Sequence, residues 1–143
     1  MLYETIDMIS LAATSISVVF GVITYLRTEY KEKKIRTENS IETLYEMNDR
    51  LSKKSIKNDY MDFVHFTRCA DRFAHLYNEG QFNKGIVKTR AGDFLVRTYD
   101  EKLNKIIAQQ RKQFKRDTYF SHLERMINDL KKKMKEKTSD EQF

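Results

Sequence analysis

Four residues in one short stretch carry side chains that can do chemistry. Asp62, His65, Cys69 and Arg72 are separated by steps of three, four and three, so a helix puts them on one face. A carboxylate, an imidazole and a thiol at that spacing are metal donors, and a Cys–His pair is also the kernel of a nucleophilic centre. Two observations weigh against both. Three donors from a single helix with no second cluster make a poor zinc set, and Cys69 adjoins an apolar face. Nothing nearby supplies an oxyanion device or a substrate pocket. His65 and His75 are ten residues apart and point in different directions, and His122 stands alone near the start of the last helix. Surface or half-buried imidazoles are expected at all three. Gly80, Gly85 and Gly92 fall close together but match neither a phosphate loop nor a dinucleotide fingerprint. No catalytic, metal-binding or cofactor-binding residue is therefore expected, and the chain reads as non-enzymatic.

The elements that carry these residues are helices. There is no proline and there are only four glycines in 143 residues. Strands joined by tight turns need more of both. One cysteine excludes an intrachain disulfide. The length leaves room for one small domain.

Met8 to Leu26 is a run of nineteen residues without a charge, close to the twenty or so that span a hydrocarbon core of about 30 Å. Asp7 and Arg27 close it, and Tyr25 and Tyr30 fall where an interfacial aromatic belt belongs. A cleaved signal peptide would begin with a basic segment, whereas the seven residues before the run hold no Lys or Arg. Arg27, Lys31, Lys33, Lys34 and Arg36 follow the run directly. The positive-inside rule then puts the N-terminus outside and the rest in the cytoplasm, with these five side chains at anionic headgroups of the inner leaflet. The expected location is the bacterial inner membrane or a plasma membrane, single-pass. Net charge is +6 overall, and the part from Arg27 onward carries 27 basic against 19 acidic residues, or +8.

Within the run, Ser10, Thr14, Ser17, Gly21 and Thr24 recur with steps of four, three, four and three. A seam of small and hydroxylated residues lets two membrane helices approach closely. The alternative is that the hydroxyls bond their own backbone and the seam simply faces lipid.

Four segments follow: a flank and transmembrane helix (1–27), a charged helical stalk (28–57), a cytoplasmic helical domain (58–137) and a disordered tail (138–143). The stalk has a thin apolar stripe, Ile41, Leu44, Met47 and Leu51. It fits either a short coiled coil with a second copy or packing on the chain's own later helices. After a break at 55–59 comes a helix of about twenty residues stopped by Gly80, with Phe63, Phe66, Phe73 and Tyr77 on its partner-facing or core side. Helix resumes from Ile86, with a break expected near Gly92, and a joint is expected at Lys115–Asp117. The last helix carries Phe120, Leu123, Met126, Ile127, Leu130 and Met134 on one face. Two basic clusters, Arg111–Arg116 and Lys131–Lys137, read as a solvated outer face in preference to a nucleic-acid site.

The order of a short span, a charged stalk and then DYMDFVHFTRCADRFAHLYNEGQFNKGIVKTRAGDFLVRTYDEKLNKIIAQQR resembles a domain-of-unknown-function family of small single-span bacterial and phage membrane proteins. The matching features are Phe63 and Phe66, the Gly80 turn with Ile86, then Tyr99, Ile106, Ile107 and Arg111, within residues 8 to 125. The resemblance implies an architecture and a bacterial or phage source, and no activity. The expected function is a membrane-tethered interaction or scaffold protein that meets anionic lipid and a protein partner and can self-associate. The alternative is a membrane-active effector, of exclusion or toxin type, working through oligomers of the span.

Overall fold

The computed structural model describes the backbone of residues 2–141 and the side chains of residues 2–136. It is all-α. Helix α1 (Leu2–Ser52) is followed by α2 (Tyr60–Asn78), α3 (Lys84–Thr98), a π-helical turn (Tyr99–Leu103), α4 (Asn104–Phe114) and α5 (Ser121–Glu141). The expected tail at 138–143 begins inside α5, whose backbone is helical through Glu141, and its side chains lie outside the described residues. Two compact units share α1: one ends at Lys33 and the other begins at Lys34.

In the first unit α1 is exposed from Leu2 to Glu32, and only Lys33 at its end is half-buried. Among the described residues it is the one helix long and apolar enough to cross a membrane. Its apolar residues surround the axis, so no face is left to pack on the chain itself.

The second unit is a helical bundle. Its main packed pair is α2 on α5, with α3 also against α5 and α4 against α2. Phe63, Phe66, Phe73 and Tyr77 are 2%, 1%, 4% and 0% exposed, so all four belong to the core and none faces a partner. Leu123, Met126, Ile127 and Leu130 of α5 meet them from the other side. Each such side chain contributes roughly 1.5–3 kcal/mol by leaving water.

The stripe expected on a stalk lies in this bundle. Thr37, Ile41, Leu44 and Leu51 of α1 are buried with the core, and Met47 is partly so. Of the two partners expected for it, the chain's own helices are the ones found. From Lys34 onward the stalk is therefore not a separate element.

The break expected near Gly92 is absent. Gly92 is buried inside an unbroken α3, and Met134 Sδ would lie 3.9 Å from a Cβ there. The irregularity comes later, as the wide turn at Tyr99–Leu103. Two α turns take about 7.2 residues, yet Leu95 and Leu103, both buried, are eight apart. One turn wound about a residue wider restores the phase.

Helix ends are tied by side chains. Gly80, with φ of 75°, reverses the chain after α2. Asn83 caps α3 by accepting from the Ile86 N–H at 3.1 Å, and its own N–H donates to Thr37 Oγ1 at 2.9 Å. Asp71 of α2 accepts from the Leu123 N–H at 3.0 Å, which places a carboxylate at the first turn of α5. Lys115 ends α4 with φ of 52°, as the expected joint requires, and Phe120 has φ of 62°. A positive φ is costly for a bulky residue, and burial of the Phe120 ring in the core holds it there.

Candidate functional site

Asp62, His65, Cys69 and Arg72 do not converge on one point. Asp62 is drawn off by Lys54 of the preceding turn, with Nζ to Oδ2 at 2.8 Å. That hydrogen bond raises the Lys54 ammonium above its ordinary range. His65 and Cys69 are together, Nε2 to Sγ 3.8 Å, but among the described residues nothing orients the other ring nitrogen. A nucleophile–base pair without an orienting third group lacks the geometry of covalent catalysis. Arg72 is exposed one turn further along. No group of three or more His, Cys, Asp and Glu side chains among the described residues could hold a metal.

What the same helix face does form is a groove. It runs where α1 lies along α2 within the second unit. A hollow of about 190 Å³ is floored by Leu44, Phe73 and Phe82 and walled by Met47, Cys69 and Leu76. A second, of about 330 Å³, continues along the crease over Leu51 and reaches His65. Met47 lines both. The first is below the 300–1,000 Å³ usual for a small-molecule site, and both open along the crease. The charged side chains that line them are Arg72, Arg50, Lys54 and Asp62, and Asp62 is already paired. The floor is apolar and the rim has a cationic excess.

Other expected contacts are redistributed. Arg36 donates to Gln81 Oε1 at 3.1 Å, so it is anchored on the loop before α3 and is not free for a headgroup. Arg27, Lys31 and Lys34 are exposed, and Lys33 is half-buried. Part of each basic cluster is committed locally. Arg111 pairs with Glu124, Lys131 with Asp100 and Lys133 with Asp129. Arg116 sits 5.5 Å over the Tyr119 ring.

In the first unit two of the seam hydroxyls are satisfied within the helix. Thr14 donates to the Ser10 carbonyl at 2.9 Å and Ser17 to that of Ala13 at 3.0 Å. A Cβ at Gly21 would meet nothing within 4 Å.

Two arrangements had no sequence signal. The buried Tyr77 hydroxyl donates to Asp129 at 2.5 Å, with Lys133 Nζ 3.2 Å from the same carboxylate. Burial and the Asp129 hydrogen bond push the Tyr77 phenol well above its ordinary range. Burial opposes ionisation of Asp129, but the bonds from Tyr77 and Lys133 outweigh it and hold its carboxyl below the usual range. His75 and His122 also meet, ring centres 4.5 Å apart, so His122 is not isolated. These pairs join residues about fifty positions apart, which no local spacing reveals.

Compared with protein-family profiles, curated proteins and solved structures, the chain shows no significant match in any of the three.

Proposed function

We propose that the protein is a single-pass membrane protein whose cytoplasmic helical bundle docks a protein partner, without catalysis of its own. The observation that carries the reading is the contrast within α1: residues 8–26 are apolar on every side and fully exposed, whereas 37–51 are amphipathic and packed. The first stretch needs lipid as its solvent. Arg27, Lys31 and Lys34 support a cytoplasmic orientation by the positive-inside rule. The open groove supports docking, since an apolar crease with few convergent polar groups suits a packed side-chain ridge better than a reaction. A bacterial or phage source is part of the same proposal.

Alkaline carbonate extraction and protease accessibility test the anchoring. The chain should stay in the membrane pellet, and a tag after Phe143 should be cut only once the cells are opened. Release into the supernatant, or cleavage in intact cells, ends the reading.

One observation favours a second reading, action through oligomers of the span. The seam from Ser10 to Thr24 has a flat spot at Gly21, where a Cβ would meet nothing within 4 Å, and a second helix could approach closely there, although Thr14 and Ser17 already bond their own backbone. In that case overproduction makes the membrane leak and Gly21→Ile stops it. A docking protein leaves the membrane sealed and tolerates an unrelated span.

A further inference from the structure

Resting on the docking reading, we infer that the groove between α1 and α2 takes an amphipathic helix with acidic flanks from a partner protein. The helices that wall the groove keep their backbone hydrogen bonds inside themselves, so an extended peptide would find no edge to pair with, and its own N–H and C=O groups would be stranded. A helix satisfies those groups internally and brings only side chains. The crease extends from Ser40 to Leu51 along α1, about 17 Å at 1.5 Å per residue, which matches a partner of roughly three turns. Its floor of Leu44, Phe73 and Phe82, with Met47 lining both hollows, suits a ridge of apolar residues at i, i+3 or i+4 and i+7. The sign of the partner's flanks follows from the rim. Arg50 and Arg72 are exposed on opposite walls, and Asp62, the lone lining acid, is neutralised by Lys54. Carboxylates on the incoming helix would meet cations on both sides, while lysines there would meet like charge.

Cys69 makes the test direct. It is the only thiol in the chain, and it is half-buried in the groove wall. The full chain in lipid nanodiscs would be panned against a displayed library of random helix-forming peptides. A duplicate whose Cys69 carries a bulky maleimide serves as the counter-selection. The expected peptides share an apolar ridge with net acidic flanks and slow the reaction of Cys69 with a thiol reagent by roughly tenfold or more. Charge reversal, Arg50→Glu with Arg72→Glu, should weaken them by at least about tenfold and admit versions whose flanks are lysine. Both arginines are exposed, and circular dichroism would verify that the variant is folded. Peptides that bind in competition with the Cys69 adduct but carry neutral or basic flanks would overturn the acidic partner and leave docking standing. If no recovered peptide is blocked by the adduct, docking at this groove falls as well.

Discussion

Residues 8–26 and 37–51 belong to one helix and use similar side chains to opposite ends. Phe20 and Val18 are 66% and 60% exposed, whereas Ile41 and Leu44 are 4% and 3% exposed. Hydroxyl use differs at one position. Thr14 and Ser17 in the span and Thr43 in the bundle turn back to carbonyls of their own helix, and Thr37 accepts from the Asn83 N–H at the start of α3. Hydrophobicity alone therefore does not say where a residue packs; its distribution around the axis does. A helix apolar on all sides must find its partner outside the chain, and a helix with one apolar stripe can find it within.

That contrast can be broken from either side. The largest effect is expected from Phe66→Ala, which empties a fully buried site in the bundle and should cost about 3–5 kcal/mol. Denaturant unfolding followed by near-UV circular dichroism would measure it, and Phe20→Ala should leave the same transition where it was. In the other unit, Val18→Arg should cost on the order of 2.5–3.5 kcal/mol of insertion. Carbonate extraction would then release the chain, while the bundle's unfolding midpoint stays put.

The Tyr77–Asp129 pair gives a smaller effect with a pH signature. Asp129→Ala strands the buried phenol and should cost about 1–3 kcal/mol. In the unaltered chain, Asp129 is held below the ordinary range when folded, so its contribution is complete above its unfolded value near pH ~4 and is lost as pH falls through the folded value. Tyr77 is raised when folded, so its contribution is complete below its unfolded value near pH ~10 and is lost as pH climbs past it. Unfolding midpoints across pH should show both limbs, and Tyr77→Phe should flatten the alkaline one. The smallest change sharpens the comparison of hydroxyl use. Asn83→Ala removes the α3 cap and should cost about 1 kcal/mol, whereas Ser17→Ala in the span should leave bundle stability unchanged by calorimetry.

Features set within a single helix were readable in advance. The uncharged run, the stripe from Ile41 to Leu51, the helix ending near Gly80 and the apolar face of α5 each follow from a period of 3.6 and a stop residue. The site was less readable. Phe63, Phe66, Phe73 and Tyr77 share a face, but the choice between core and partner depended on α5 coming to cover them. Asp62, His65 and Cys69 had the spacing of a ligand set, yet a lysine from outside their helix decided what Asp62 does. The groove needed α1 laid beside α2, and Phe82 lies 1% exposed within what read as a turn. Gly92 was misleading as well. It sits buried in an unbroken α3, where a Cβ would make only ordinary contact with Met134 of α5 at 3.9 Å, so it marks no bend in its own helix.

The wide turn at Tyr99–Leu103 makes the chain tolerant of a change in length at this one place. Deleting one residue there, such as the exposed Glu101, would remove no buried atom and would let the turn close to ordinary α-helix. Leu103 would then follow Leu95 by seven residues, close to two turns, and Ile106, Ile107 and Gln110 would still face the bundle. The same deletion inside α4, before Ile106, has no wide turn to absorb it and would swing all three by about 100°, so one missing surface residue there would act as three core lesions at once.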